Sequence, residues 1–367
     1  MCLYNQLSIR MEHHFTDIIQ IIKQSQNNAV KAVNVELINL YWNIGYYISH
    51  KLNTSDWGDK TVNDLAEYIQ EHNPELKGFN KRSLYRMIQF YETYCDSVIV
   101  SSVRTQLQHT DLQHVLPYSP KIASAHLFPQ NIKKTMLVQL SWTHHRTIFS
   151  RCKSKDEREF YIQLCVKEKY SVRDLERQIN SSIYERTMLN SKSFSPSINN
   201  LSQDINAVFK DSYIFDFLQL PDSHNESDLQ KGLITQMKKL ILELGKDFLF
   251  IEQEYKVQVG NSDFYIDLLF YHRALQCLIA FELKADKFKP EHIGQLEFYL
   301  EALDRDVKRD NENPSIGILL CKDKDVEVVE YSMSRSLSPT MVAEYKMQLP
   351  DKNTLQNKLK ELFCEHS

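Results

Sequence analysis

Two apolar runs in the C-terminal half of the chain are interrupted by charged residues. Asp267 separates apolar pairs within residues 264–272, and Glu282 and Lys284 end the apolar run 278–284. Their β-branched and aromatic residues predict strands. Because residues two apart on a strand face the same side, Glu282 and Lys284 should point together. A hairpin between the two strands would bring the Asp267 carboxylate beside them.

The N-terminal part instead repeats its apolar residues with a helical period. This pattern predicts helices over residues 12–50, 62–71 and 81–94, and Asn80 is a suitable N-cap for the third. In the first helix one face carries Ile18, Ile22, Ala29, Val33, Leu37, Leu40 and Ile44.

The second and third helices suggest a helix-turn-helix or winged-helix unit, although their connection is longer than in the tightest examples. Lys81, Arg82 and Arg86 lie on the third helix and are candidate phosphate contacts in a nucleic-acid complex. An ordinary solvated helix surface is the open alternative.

The remaining segments alternate between loops, helices and strands. We predict a loop at 95–125, helices from 132 to about 190, a serine- and asparagine-rich linker at 191–202 and a long helix at 226–246. Strands are predicted at 248–259, 263–272, 274–284, 315–321 and 341–347, and a helix at 353–364 closes the chain.

Charge is unevenly distributed along the 367 residues. Residues 81–190 contain 17 basic and 10 acidic residues, a net charge of +7, within a chain of net charge −4. A polyanionic partner would be attracted to this segment more than to the rest of the chain. Seven dispersed cysteines form no C-x-x-C pair, which favours reduced thiols and a cytoplasmic location over a disulfide framework or structural zinc site.

Two carboxylates and one lysine at a strand end are a suitable group for a metal site with an ammonium beside it. A structural ion pair at the strand edge is the alternative. The chain has no phosphate-binding glycine loop and no dinucleotide fingerprint, so neither ATP hydrolysis nor nicotinamide chemistry is indicated.

The D…E-x-K arrangement resembles the core of the PD-(D/E)XK nuclease superfamily, with Ile266 in place of the proline of that name. A following helix with Gln295 and Tyr299 four residues apart is similar to one branch of it. Longer segments resemble the YhcG-type nucleases of bacteria over nearly the whole chain; they include residues 40–45, 78–82, 140–145, 263–272 and 313–317.

This resemblance implies an α/β fold with a helical N-terminal domain at 12–190, a linker at 191–202, a nuclease domain with a mixed central sheet at 203–350 and a C-terminal helix at 351–367. It implies a nuclease that uses Mg²⁺ or Mn²⁺ held by two carboxylates. The implied catalytic residues are Asp267, Glu282, Lys284, Gln295, Tyr299 and Glu243, with Asp267 and Glu282 as the metal ligands.

The implied partner is nucleic acid, with DNA favoured over RNA and the choice left open by the sequence. No membrane association is expected, and a homodimer is one open arrangement. Two alternatives to an independent nuclease stay open. One is a nucleic-acid-binding protein that does not cleave; the other is a subunit active only within a larger repair or defence complex. Retention of Asp267, Glu282 and Lys284 favours cleavage over binding alone.

Overall fold

A computed structural model describes residues 2–54, 57–58, 60–95, 132, 135–189, 194–200, 208–221 and 223–365. The chain divides into two compact units, Met1–Leu175 and Glu176–Ser367. Among the described residues, no helix combines the length and the apolar character that crossing a membrane requires. The predicted loop at 95–125 lies almost entirely outside the described residues.

The first unit is helical. Its helices are α1 (Cys2–Asn53), α2 (Thr61–His72), α3 (Lys81–Tyr94), α4 (Trp142–Arg151), α5 (Lys155–Glu168) and the start of α6 (Val172–Asn180). The predicted span of α3 is confirmed, and the Asn80 side chain caps it by accepting a hydrogen bond from the Ser83 N–H at 3.0 Å. The helix-turn-helix assignment of α2 and α3 stays a prediction.

α3 packs against α1 at a close crossing. A Cβ atom added at Gly45 of α1 would lie 2.1 Å from the Met87 carbonyl oxygen of α3, so only glycine permits this approach. Next to the crossing, Trp42 packs edge-on against Phe90 and Tyr91. The crossing therefore fixes the helix that carries Lys81, Arg82 and Arg86.

The second unit is built on a six-stranded mixed sheet in the order β1-β6-β5-β4-β3-β2. The strands are β1 (Ser212–Ile214), β2 (Phe248–Val259), β3 (Ser262–His272), β4 (Cys277–Lys287), β5 (Ile316–Asp323) and β6 (Thr340–Lys346). β2, β3 and β4 are antiparallel neighbours, whereas β4, β5, β6 and β1 run parallel. β2 is an edge strand, and its Leu249, Phe250 and Ile251 are exposed.

Helices cover both faces of this sheet. α7 (Ile183–Met188) precedes β1, and α8 (Glu226–Thr235) and α9 (Met237–Leu244) precede β2. α10 (Glu291–Asp306), α11 (Val326–Met333) and α12 (Lys352–Glu365) follow β4, β5 and β6. Leu229 and Leu233 of α8 belong to the core on one face, and Leu296 and Leu300 of α10 to the core on the other.

The observed elements differ from the predicted ones at four places. The predicted helix 226–246 is broken between α8 and α9 at Gln236. β1 and α11 were not predicted. The predicted linker 191–202 packs on the sheet where it is described, because Phe194 bridges to Met341 and Ile198 is fully buried in the core.

The division between the units also differs from the predicted boundary at 190, since it falls between Leu175 and Glu176. Arg177 and Arg186 explain the difference: both pair with the buried carboxylate of Glu243 on α9, at 2.8 and 3.2 Å. Residues 176–189 are therefore part of the second unit.

We expect Gly45→Ala to destabilise the first unit by about 1–3 kcal/mol, because the added methyl group forces α1 and α3 apart. All three tryptophans, Trp42, Trp57 and Trp142, lie in this unit, so their fluorescence during urea unfolding measures its stability alone. Gly58→Ala is the control, since nothing lies within 4 Å of a Cβ atom there. Equal unfolding curves for the two variants would contradict the close crossing.

Candidate active site

The hydrogen-bonded pairing of β3 with β4 stops where the charged residues begin. Their ladder ends at the pair Leu268 and Phe281, so the next residues on the two strands are Asp267 and Glu282. Beyond that pair, Asp267 Oδ2 accepts a hydrogen bond from the Leu283 N–H at 2.7 Å. A side chain thus replaces the backbone partner that a continued ladder would supply, and the carboxylate is held between the strands.

β3 is irregular at Asp267. Ile266 and Leu269 belong to the same core although they are three residues apart, so the alternation of faces changes phase between them. On β2, Glu254 occupies the corresponding register position, between the pairs Gln253–Leu268 and Tyr255–Ile266, with a left-handed φ of 49°. This local distortion turns the Asp267 carboxylate toward β4.

Glu282 and Lys284 lie on the same side of β4, as predicted. Lys284 Nζ donates a hydrogen bond to Glu282 Oε1 at 2.9 Å. Glu282 is only 2% exposed, and its second oxygen, Oε2, is buried without a hydrogen-bond partner. A buried carboxylate oxygen without a donor is costly, and a bound cation would satisfy it.

Burial and the neighbouring Asp267 charge raise the pKa of Glu282 to about 7. Burial also raises the pKa of Asp267, and the charges of Glu226 and Glu254 raise it further, against the Leu283 N–H and Lys284. For Lys284, burial lowers the pKa, but its hydrogen bond to Glu282 and the surrounding carboxylates outweigh burial and raise it. Lys284 is therefore an ammonium group at neutral pH.

Gln295 and Tyr299 lie on α10 beside this group. Gln295 Nε2 donates a hydrogen bond to the Tyr299 hydroxyl at 2.9 Å, as their spacing of four residues allows. Burial raises the pKa of Tyr299, and the charges of Glu282 and Asp267 raise it further. The structure thus brings this pair close to the two carboxylates.

Sequence reasoning missed two residues of α8. Glu226 Oε2 lies 3.5 Å from Lys284 Nζ, and Gln230 Nε2 donates a hydrogen bond to the Asp267 carbonyl at 2.9 Å. The capping box of Asn225 and Asp228 marks the start of this helix in the sequence. The capping box locates the N-terminus of α8 but does not indicate that β4 lies beside it.

The start of α8 is anchored by His224. Its Nδ1 is 2.8 Å from the Pro221 carbonyl oxygen, and its Nε2 is 2.8 Å from the Tyr345 hydroxyl on β6. Since a carbonyl can only accept, Nδ1 carries a proton, and in the neutral ring Nε2 accepts from the tyrosine. These bonds tie Glu226 to the sheet.

The structure does not bring Glu243 to this group. Its fully buried carboxylate is surrounded by Arg177, Arg186 and Lys210, and it accepts a hydrogen bond from the Ile214 N–H. Burial alone would raise its pKa, but the three cations lower the pKa to about 2. We therefore correct its predicted catalytic role to a structural one that joins α6, α7 and α9 to β1.

The donor set suits a hard divalent cation. Within the described residues no three His, Cys, Asp or Glu side chains form a ready metal site. Mg²⁺ requires less than that, because it is usually bound by one or two carboxylates and keeps several waters. Asp267 and Glu282 supply two carboxylates, and Glu282 Oε2 is an oxygen that lacks a donor.

In the first unit, α3 carries a basic surface. Its residues line an open hollow of about 640 Å³: Asn80, Lys81, Arg82, Tyr85, Arg86 and Gln89. Burial and the positive charges of Arg146 on α4 and of Arg82 lower the pKa of Arg86. Within the described parts of the chain, no carboxylate forms a salt bridge with Lys81, Arg82 or Arg86.

Comparisons with known proteins match both parts of the chain. Residues 206–360 match the family model of the YhcG PDDEXK nuclease domain. Residues 17–127 and 121–186 match that of the DUF1016 N-terminal domain. A relative from Escherichia coli (strain K12), "Putative nuclease YhcG", is 28% identical over 354 residues, which are 93% of this chain and 92% of the relative.

Three solved structures match over about half of their own length. A repair endonuclease from Pyrococcus abyssi is 18% identical, with a TM-score of 0.25, over 36% of this chain and 50% of that one. An EndoMS–dsDNA2 complex is 17% identical, with a TM-score of 0.22, over 32% of this chain and 46% of that one. EndoMS in apo form is 14% identical, with a TM-score of 0.23, over 35% of this chain and 48% of that one.

The raised pKa of Glu282 predicts a pH-dependent stability. Its folded-state pKa exceeds the ordinary value of 4.5, so the folded state binds the proton more tightly and stability falls as the pH rises toward 7. Glu282→Gln removes the carboxyl group that titrates, and with it this loss of stability at higher pH. We expect it to stabilise the metal-free second unit by on the order of 2–3 kcal/mol above pH 7, and not at all below pH 4.5.

Urea unfolding in EDTA at pH 4.5 and pH 8, followed by far-UV circular dichroism, measures the difference. Glu252→Gln is the matched control, since it removes an exposed carboxylate from β2. A Glu282→Gln stabilisation of the same size at both pH values would contradict the proposed cause.

Proposed function

The chain belongs to the YhcG-type family of PD-(D/E)XK nucleases, and from that premise we propose that it is a divalent-metal-dependent nuclease acting on DNA, with Asp267, Glu282 and Lys284 as its catalytic centre. The observation that carries the proposal is the buried oxygen of Glu282 that lacks a hydrogen-bond donor, next to a second carboxylate. Mg²⁺ or Mn²⁺ fits this oxygen pair.

Asp267 and Glu282 hold the metal ion in this proposal. When bound, a divalent cation neutralises charge on the phosphate and lowers the pKa of a water molecule. The protein fixes the two carboxylates before binding, because Asp267 is held by the Leu283 N–H and Glu282 by Lys284. Their mutual repulsion in the metal-free protein favours uptake of a cation.

Lys284 acts as a fixed positive charge. Its raised pKa supports a role in stabilising negative charge on the phosphoryl oxygens over a role as general base, since a base must be deprotonated first. Glu226 keeps the ammonium group in place from the side of α8. Gln295 and Tyr299 contact the nucleic-acid backbone or support Lys284.

The basic surface of α3 binds the phosphate backbone in this proposal. Lys81, Arg82 and Arg86 place three positive charges around one hollow of the first unit, without acidic salt-bridge partners among the described residues. Phosphate contacts of this kind position a protein on nucleic acid without reading its sequence. The second unit carries the chemistry.

We expect Asp267→Ala and Glu282→Ala each to lower Mg²⁺-dependent cleavage of linear DNA by more than about 100-fold, because each removes a ligand of the metal. Gel assays with Mg²⁺, Mn²⁺ and EDTA measure this loss, and circular dichroism checks that both variants fold. Glu327→Ala, which removes an exposed carboxylate of α11, is the control. Cleavage at the unmodified rate by either variant would reject the assignment.

Lys284→Ala should reduce the single-turnover cleavage rate far more than DNA affinity, because the ammonium group acts on charge that develops during the reaction. Lys284→Arg keeps the positive charge and should restore part of the rate. Fluorescence anisotropy in Ca²⁺ and rapid-quench kinetics in Mg²⁺ separate the two quantities. Equal losses of affinity and rate would make Lys284 a phosphate clamp instead.

Replacing Lys81, Arg82 and Arg86 by glutamine should weaken DNA binding similarly for all sequences. The slope of log affinity against log salt should flatten by about one unit for each phosphate group that the variant no longer neutralises. The matched control replaces three other exposed cations of the first unit, Lys23, Lys31 and Lys60. If both triple variants show the unmodified slope, α3 is an ordinary solvated surface.

A further inference from the structure

The first part of α1 carries large apolar side chains that no other described part of the chain covers. Every residue from 18 to 33 is exposed. Its large apolar residues are 50–69% exposed: Ile18, Ile19, Ile21, Ile22, Val30 and Val33. Apolar side chains scattered singly over a surface are ordinary, but a contiguous set marks an interaction site.

Four of these residues, Ile18, Ile21, Ile22 and Val33, lie in one stripe along the helix. At 3.6 residues per turn, one arc of about 120° holds only apolar or small residues: Ile18, Ile21, Ile22, Ser25, Ala29, Ala32 and Val33. The opposite side holds only polar residues: Gln20, Lys23, Gln24, Asn27, Asn28 and Lys31. We call the first set the α1 stripe. It has the one-sided form of a helix that packs against another element.

A free-standing helix with this composition is not stable in water. Isoleucine, valine, serine and asparagine have weaker helix propensity than alanine or leucine, and most helical stability in proteins comes from packing of the apolar face. We therefore expect the α1 stripe to gain stability by packing against a partner.

The α1 stripe is complementary to itself. From residue 18 to residue 32 its large residues, Ile18, Ile21 and Ile22, lie toward the N-terminal end, and its small residues, Ser25, Ala29 and Ala32, lie toward the C-terminal end. Val33 follows at the C-terminal edge of the stripe. Two antiparallel copies related by a two-fold axis at Ser25 place Ile18 opposite Ala32 of the second copy. Large side chains then face small ones, as close packing requires, and the contacts are reciprocal, as in two-fold dimers.

Charge permits the same arrangement. Lys23 and Lys31 are the only charged residues between 18 and 33, and both lie on the polar side of the helix. Two copies therefore bring no like charges together across the α1 stripe, and no strong charge on it selects an acidic or basic partner.

We propose that the protein is a homodimer in which the α1 stripes of two copies pack antiparallel around Ser25. This inference goes beyond the nuclease activity, and its test uses no nucleic acid. A single helix pair is smaller than a standard interface of about 20–30 residues a side, so we expect dissociation on the order of micromolar concentrations.

Sedimentation equilibrium at increasing concentration tests the assembly state. The unmodified chain should approach twice its mass of 43.3 kDa, and Ile18→Glu combined with Ile22→Glu should remain at that single mass. Gln20→Glu with Asn27→Glu adds the same two charges on the polar side and should still dimerise. A monomeric unmodified chain, or an Ile18→Glu/Ile22→Glu variant that dimerises like its control, would overturn the proposal.

Disulfide trapping tests the orientation without destabilising charges. A mixture of Ile18→Cys and Ala32→Cys chains should cross-link under mild oxidation well above the background that the parent chain's own cysteines give. Ile18→Cys alone should stay at that background. Cross-linking of Ile18→Cys alone, or none in the mixture, would reject the antiparallel pairing.

Discussion

The nuclease unit depends on one electrostatic constraint, the burial of the Glu282 carboxylate next to that of Asp267. Two like charges away from water repel, and burial raises the pKa of both groups. The surrounding elements limit the repulsion: Leu283 donates its N–H to Asp267, and Lys284 donates to Glu282. A divalent cation would neutralise the negative charge of the two carboxylates that these donors leave uncompensated.

The sheet and its charged positions could be predicted because strand residues repeat with a period of two. β2 to β6 lie close to their predicted spans, and Glu282 and Lys284 share a side as the spacing requires. β1 was missed because three residues carry too little pattern. Glu226 and Glu254 reach the site through contacts across the fold, and no local spacing predicts which helix end or edge residue will meet β4.

The role of Glu243 also could not be predicted from the local sequence. A carboxylate on a helix before the sheet has the same local sequence whether it faces a metal site or a salt bridge. Its partners Arg177 and Arg186 lie more than fifty residues away in the sequence, within a segment that we predicted to belong to the helical domain. The prediction of the domain boundary and that of Glu243 therefore failed for the same reason.

The distortion on β2 has a consequence beyond the position of Asp267. A twelve-residue edge strand with exposed Leu249 and Ile251 would offer unpaired backbone groups to a strand of any other molecule. The left-handed Glu254 and the register shift between Phe250 and Glu252 break that edge into short pieces of different alignment. Intermolecular sheet growth, the first step of aggregation, has no continuous template there.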